Sequence, residues 1–371
     1  MKRFFLILAV AVTAITACSK SELAPSAAKV DNQISFMPAN YASTKVDGPT
    51  FPTDETFSTY AWTAGTAGTY FMDNVTIKYD ASDDRWKPVT TYYWPGYNQG
   101  VDFFSYYPSG MSGLTVAANQ ISYTNINFAT VQDDIMYADK AVAYTQNAHG
   151  EVGGRDGVPT FFRHAAAKVM FKAVLGTATK TETDGSVTRW EIKLKGVNLT
   201  GVYTKGDCTM PLASTPTTGQ VQWTKPTDAN GYNVWTKDTG ATVNSDIDTK
   251  YNNSNHYDMV SGEAIDVIPA FYVLPQTLVA DQQKVTIVFD VKTYRKLVGE
   301  TAETLVLTQT DQVASADLLT TTIPAWEMSH FITYTITINP TGSFDPKPIY
   351  FDPAVDNWVA ETATTAINLN L

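Results

Sequence analysis

The sequence predicts an all-β protein, and three observations support this. Several windows alternate apolar and polar residues at a period of two, most clearly residues 332–338, which is typical of half-buried strands. Turn residues such as Asp47-Gly48-Pro49, Trp94-Pro95-Gly96 and Asp184-Gly185 separate these windows. No stretch of helical length shows a 3.6-residue apolar period. Many short strands joined by such turns favour sandwiches or barrels of mostly antiparallel strands.

Residues 1–17 predict a secretory signal peptide. Lys2 and Arg3 precede a short apolar stretch that ends in small residues, which is the pattern of a cleaved export signal. The stretch is shorter than the roughly 20 residues that a membrane-spanning helix needs. The ending Ile15-Thr16-Ala17-Cys18 resembles the lipobox of bacterial lipoproteins, which implies that Cys18 is acylated and holds the chain on a membrane. The alternative is an ordinary signal peptide with an incidental cysteine.

Residues 18–31 are small and charged with one proline, and they predict a flexible tether. The formal net charge of the chain is −11, and removal of Lys2 and Arg3 with the signal leaves 24 basic against 37 acidic residues, or −13. Such a surface is a poor match for nucleic acid or anionic lipid. After lipidation of Cys18 the other cysteine, Cys208, has no partner, so we expect no disulfide.

Further strands are predicted in order along the chain, and they suggest two domains. Alternating or continuously apolar windows occur in both halves of the chain: 75–80, 168–174, 190–195 and 285–291. The polar, glycine-containing stretch 146–159 is the best boundary, which predicts domains over 32–157 and 158–371. The polar run 237–258 predicts a long surface insertion.

Catalytic chemistry is weakly represented in this sequence. It contains no nucleophile elbow, no phosphate-binding loop and no zinc-protease motif. His164 enters an apolar strand and is interpreted as structural, while Asp83-Asp84 and Asp133-Asp134 are adjacent acids that favour solvated loops. Asp246-Ile247-Asp248 lacks the glycine and distal glutamate of a calcium loop. We therefore expect no enzyme, no metal and no cofactor.

Aromatic residues are dense at residues 92–94 and 103–107. Exposed rings could stack on sugars, which would make the protein a glycan-binding lipoprotein. Buried rings would instead fill a core, since each aromatic side chain buries about 150–250 Å². Aromatic residues on both faces of 101–107 favour a covered strand and therefore the core interpretation.

The order of several motifs resembles the fimbrillin (type V pilin, Mfa-like) family of Bacteroidetes lipoproteins. The resemblance rests on six segments and a C-terminal part, which together with the lipobox span almost the whole chain. They are Tyr92-Tyr93-Trp94-Pro95, Val101-Asp102-Phe103-Phe104-Ser105-Tyr106-Tyr107-Pro108, Asp134-Ile135-Met136-Tyr137-Ala138, Phe162-Arg163-His164-Ala165-Ala166-Ala167-Lys168-Val169-Met170-Phe171, Val197-Asn198-Leu199-Thr200-Gly201-Val202-Tyr203, Tyr272-Val273-Leu274-Pro275-Gln276, and the strand from His330 to Ile338 followed by Ile349 to Trp358.

This resemblance implies two tandem transthyretin-like β-sandwich domains and a structural role in surface fimbriae rather than an enzymatic one. It also implies export as an outer-membrane lipoprotein, followed by proteolytic removal of the lipidated N-terminus with the first strand. A strand of the next subunit then fills the vacated groove, which is β-strand addition used for polymerisation.

Particular residues can be assigned to that mechanism. Ile34 and Phe36, in the alternating segment Gln33–Met37, are the expected removable first strand. The trypsin-like protease that the resemblance implies needs a basic residue in the loop after this strand. Lys45 is the expected processing site, because no arginine occurs between Arg3 and Arg85. At the other end of the chain one apolar face is the expected donor strand, and it could equally be the last strand of its own domain: Ile367, Leu369 and Leu371.

Several alternatives stay open at this stage. The chain could be a shaft subunit that loses its N-terminus, an anchor that keeps acylated Cys18, or a tip subunit that binds host or bacterial surface ligands. The competing class is a glycan-binding lipoprotein of the outer membrane.

Overall fold

The structure is a computed structural model of the 371-residue chain. It describes the following residues: 33–40, 51–64, 69–96, 98–117, 120–146, 157–211, 222–227, 232–236, 257–259, 261–340 and 351–357. Within these ranges the regular structure consists of strands, without an α-helix, so the all-β prediction is confirmed.

Ten described strands end at or before His164: β1 Phe36–Asn40, β2 Thr56–Thr63, β3 Tyr70–Asp80, β4 Arg85–Pro88, β5 Val101–Tyr107, β6 Leu114–Ala117, β7 Gln120–Asn127, β8 Met136–Ala138, β9 Ala141–Tyr144 and β10 Val158–His164. The others follow: β11 Ala167–Leu175, β12 Thr179–Thr181, β13 Val187–Thr200, β14 Lys205–Pro211, β15 Gln222–Thr227, β16 Tyr232–Thr236, β17 Tyr257–Asp258, β18 Ala264–Val273, β19 Gln276–Thr277, β20 Lys284–Lys296, β21 Thr304–Asp317, β22 Ala325–Trp326, β23 His330–Ile338 and β24 Phe351–Asn357.

The largest sheet closes on itself. Its strand order is β2-β3-β4-β1-β10-β8-β5-β9, and β2 also pairs with β5. Hydrogen bonding therefore runs around a ring of seven strands, in which β1 lies between β4 and β10. Closure leaves each of these seven strands with a partner on both sides, so the ring has no free edge while β1 is in place.

The remaining strands form four further sheets. Their strand orders are β18-β11-β23-β24, β12-β13-β20-β21 with β16 and β17 also on β13, β15-β14-β7-β6, and β19-β22. The pairs β1–β10 and β11–β23 are parallel, and all other described strand pairs are antiparallel, as the sequence predicts for most of them.

The strand windows predicted from alternation fall within observed strands: 75–80 in β3, 168–174 in β11, 190–195 in β13, 285–291 in β20 and 332–338 in β23. β10 belongs to the predicted second domain but joins the ring, and β7 pairs with β14, so hydrogen bonds connect the two predicted domains. The domain division at 157 and 158 and the transthyretin-like detail stay predictions.

Two hydrophobic clusters fill the structure. The first is the interior of the ring, and each of the seven strands contributes at least one buried side chain to it, including Phe36, Phe103 and Phe162. The second lies outside the ring and joins residues such as Phe104 and Tyr106 of β5 to the sheets of the second half. β5 is therefore covered on both faces, which confirms the covered-strand interpretation of residues 101–107.

Candidate functional site

The candidate site is the position that β1 occupies in the ring. On one side β1 pairs in parallel with β10, from Phe36 opposite Val158 to Asn40 opposite Phe162. On the other side it pairs with β4 at Phe36 opposite Trp86. The observed strand begins at Phe36, three residues after Gln33, the first residue of the predicted Gln33–Met37 segment.

Residues 33–35 are held by separate hydrogen bonds that precede β1. The Ile34 N–H donates to the Tyr92 carbonyl at 2.9 Å, and the Val158 N–H donates to the Ser35 carbonyl at 2.8 Å. Gln33 forms an isolated bridge with Tyr93. The segment 33–40 is therefore one continuous filling element that starts beside Tyr92 and runs along β10.

The side chains of this segment enter the ring core. Ile34 and Phe36, the two residues predicted to belong to a removable strand, are 1% and 2% exposed. The ring of Phe36 packs edge-on against Phe57 of β2 at 5.9 Å and against Phe103 of β5 at 5.7 Å. Burial of a large apolar side chain contributes about 1.5–3 kcal/mol to stability. Ile34 and Phe36 therefore bind the segment to the ring much more strongly than exposed side chains would.

A second aromatic side chain lies in the same core but belongs to the chain after β1. Phe51 is 1% exposed, and its ring centroid lies 4.9 Å from Phe162 of β10 and 5.3 Å from Trp86 of β4. It also contacts Phe57 and Tyr107, at 5.6 Å and 5.4 Å. Burial raises the pKa of Tyr107, and Glu55 raises it further.

Glycine at position 157 permits the close approach of β1. A Cβ atom at Gly157 would lie 2.9 Å from the carbonyl carbon of Phe36 and 3.2 Å from the nitrogen of Met37. Such contacts are shorter than the separation of about 3.5–4.0 Å that packed atoms prefer. Gly157 and Phe51 were not identified from the sequence: Gly157 lies in the boundary stretch, and Phe51 is a lone aromatic residue before a turn.

The second half of the chain provides an internal comparison for β1. The run β4-β1-β10-β8 and the run β18-β11-β23-β24 share the same directions, with antiparallel, parallel and antiparallel pairs in succession. β11 pairs with β23 along Lys168–Leu175 and with β18 along Ala167–Val174. In the described chain β1 pairs with β4 at Phe36 alone. This β1–β4 ladder is much shorter than the corresponding β11–β18 ladder.

The other predicted site residues lie outside the described residues: Cys18, Lys45, Ile367, Leu369 and Leu371. The lipidation, processing and donor-strand assignments therefore stay predictions. β24, the last described strand, pairs with β23 and ends at Asn357.

The residues considered for catalysis or metal binding make contacts typical of a structural role. His164 Nδ1 lies 2.8 Å from an Asp134 carboxylate oxygen, and both side chains are mostly buried, so Asp134 differs from the expected solvated acid. Burial raises the pKa of the Cys208 thiol. Among the described residues no three His, Cys, Asp or Glu side chains come together as metal ligands. In the same part of the chain no helix is long and apolar enough to span a membrane.

The aromatic residues weighed as a sugar platform are mainly core. Trp94, Phe103, Phe104 and Tyr106 are each less than 5% exposed, whereas Tyr93 is 55% exposed. A stacking platform needs accessible ring faces, and the buried rings offer none.

These features define an all-β protein whose first described strand closes a ring of strands. A family model described as fimbrillin-like matches residues 44–358, a range that begins after β1. The chain therefore belongs to the fimbrillin-like family, as the order of sequence motifs predicted.

The chain is similar to solved structures. A fimbrial protein from Bacteroides vulgatus matches with a TM-score of 0.54 and 16% sequence identity, over 88% of this chain and 100% of that chain. A candidate cell adhesion protein from Bacteroides uniformis matches with a TM-score of 0.45 and 15% identity, over 89% of this chain and 99% of that chain. The comparison with curated proteins returned no match.

Proposed function

We propose that this chain is a structural subunit of cell-surface fimbriae that joins other subunits by strand exchange at the β1 position. Membership of the fimbrillin-like family supports the fimbrial role. The observation that carries the exchange mechanism is that one short strand completes a closed ring. A cut anywhere in residues 41–50 separates β1 from every other described strand of that ring.

Loss of β1 would create a strong acceptor. The edges of β4 and β10 that now face β1 would present unpaired backbone N–H and C=O groups. The buried places of Ile34 and Phe36 would be emptied, and the place of Phe36 would become an apolar opening lined by Phe57 and Phe103. Unpaired strand edges beside an open core are templates for an added strand, because the added backbone pairs with the edge while its side chains fill the openings.

The end of the chain carries a pattern that suits this acceptor. Ile367-Asn368-Leu369-Asn370-Leu371 and Ile34-Ser35-Phe36-Met37-Pro38 both place apolar residues first, third and fifth. In the native segment these three positions are the buried Ile34, Phe36 and Pro38. A donor in the same register would place Leu369 at the position of Phe36, between the rings of Phe57 and Phe103.

Processing at Lys45 fits the position of the flanking residues. β1 ends at Asn40, and the buried Phe51 begins the part of the chain that would stay with the subunit. A trypsin-like protease that cuts after Lys45 would release the lipidated N-terminus, carrying acylated Cys18, together with β1. An uncut subunit would stay on the outer membrane as the anchor of a fimbria.

The test is the N-terminus and the assembly state of surface-extracted protein. For a shaft subunit we expect polymers whose subunits begin at Val46, and Lys45→Gln should leave acylated monomers on the membrane. Lys78→Gln, which changes an exposed lysine on β3, is the matched control and should polymerise normally. Polymers that retain Cys18 in every subunit would contradict the exchange mechanism.

The glycan-binding alternative is tested in the same preparation. It is favoured if the protein binds glycans specifically on an array and forms no polymer in electron micrographs. The proposal includes no catalytic step and no cofactor.

A further inference from the structure

We infer that Phe51 holds the vacated groove open for the incoming strand. This inference rests on the proposed strand exchange and adds a positioning residue to it. Phe51 is placed by geometry for this role, because its ring contacts both Trp86 of β4 and Phe162 of β10, with centroid distances of 5.3 Å and 4.9 Å. β4 and β10 are the two strands that flank β1.

Phe51 and Phe36 support different parts of the ring interior. Phe36 packs on Phe57 and Phe103, which belong to β2 and β5 on the other side of the ring. Phe51 instead connects the two walls of the groove and contacts Phe57 as well. When Phe36 leaves with β1, two aromatic side chains still contact both walls: Phe51, and Phe57 of β2, whose ring lies 5.6 Å from Trp86 and 5.2 Å from Phe162. Phe51 makes the closer contact with each wall, at 5.3 Å and 4.9 Å.

The position of Phe51 in the chain makes this separation permanent. Phe51 lies after the proposed cut at Lys45 and before β2, so cleavage does not remove it. Its ring contacts are with Phe57, Trp86, Tyr107 and Phe162, none of which belongs to β1. We therefore expect the ring to keep its place when β1 leaves.

The physical need for such a residue follows from the emptied core. Walls around a large apolar opening relax inward, because atoms that line a void lose their packing partners. Neighbouring strands lie about 4.8 Å apart, so β4 and β10 must stay about twice that distance apart to accept a strand. A rigid ring packed between Trp86 and Phe162 opposes their approach.

The experiment measures strand uptake by the full chain after proteolytic cutting at Lys45. The probe is a fluorescent synthetic peptide of residues 364–371, and the readouts are its incorporation rate and hydrogen exchange at β4 and β10. Phe51→Leu keeps an apolar side chain but removes the ring. Phe51→Met is a second variant that preserves more length should the leucine variant fold poorly before cutting. Phe128→Leu is the matched control, because Phe128 is equally buried and packs on Trp223 outside the ring.

We expect the cut Phe51→Leu protein to take up the peptide about two- to tenfold more slowly than the cut natural chain, with Phe51→Met between them. Hydrogen exchange at β4 and β10 should change in the cut variant, while Phe128→Leu should behave as the natural chain. Equal uptake by Phe51→Leu and the natural chain would overturn the inference and leave strand exchange intact. Failure of the cut natural chain to take up the peptide would overturn strand exchange itself, and the inference with it.

Discussion

Replacing Gly157 with alanine tests how tightly β1 is seated, because the added methyl group meets the backbone of β1 itself. The new Cβ would lie 2.9 Å from the Phe36 carbonyl carbon, 3.1 Å from its oxygen and 3.2 Å from the Met37 nitrogen. Backbone atoms cannot rotate away as a flexible side chain can. Either β1 or the start of β10 must therefore move.

The magnitude follows from the size of the overlap. The shortest contact is about 0.6–1.1 Å below the usual packing distance, and overpacking of this kind costs about 1–3 kcal/mol. Because a tenfold change in an equilibrium constant corresponds to about 1.4 kcal/mol, the local opening of β1 should become about 5- to 150-fold more populated. The native backbone at Gly157 is outside the left-handed region, so backbone strain adds nothing to this figure.

Hydrogen exchange read by mass spectrometry is the assay, with peptides that cover residues 33–40 and, for comparison, β20. Gly96→Ala is the control: its Cβ would meet Gln99 at 3.6 Å, an ordinary contact. Faster exchange confined to β1 and its partners β4 and β10 is the expected result. Unchanged exchange at β1, or an equal acceleration at β20, would refute the argument that Gly157 seats this strand.

Three further changes test the packing. Phe36→Ala should lower the free energy of unfolding by about 3–5 kcal/mol in urea titrations, because it empties a buried aromatic site, whereas Met37→Ala at a half-exposed position should have a much smaller effect. Tyr334→Phe should cost about 1–3 kcal/mol, because the buried Trp326 indole N–H loses the acceptor that it now has at 2.9 Å; an unchanged urea midpoint would contradict this. Burial raises the pKa of Tyr137 from 10.0 to about 12, so its contribution to stability is complete below pH 10 and is lost as the pH rises through that raised value. Urea titrations at increasing alkaline pH should show this loss, and it should be smaller in Tyr137→Phe.

The strand content was predictable from sequence because period-two alternation is a local property. The windows at 168–174 and 332–338 became β11 and β23, which form a parallel pair. That pairing could not be predicted, since the two strands are far apart in the chain and alternation carries no information about partners. The start of β1 was misplaced for a related reason: the observed ladder is set by β10, not by the alternation of β1 itself.

The candidate site was predictable in part. Ile34 and Phe36 were identified by their apolar alternation, and both are buried in the ring core. Phe51 has no periodic neighbours, and the role of Gly157 depends on a backbone contact with a distant strand. Asp134 was expected in solvent because its neighbour is also acidic, and its pairing with His164, the last residue of β10, depends on a contact between segments 30 residues apart in the chain.

The repeated run of strand directions has a consequence for the shape of an assembly. The chain contains two positions of the same geometry, occupied by β1 and by β11. β11 follows β10 after two residues and continues into the rest of the second half, so no single cut detaches it. If the proposed strand exchange operates, a subunit that releases β1 would expose one such acceptor among its described strands. Subunits with one acceptor and one donor would then add end to end and form an unbranched polymer with a direction.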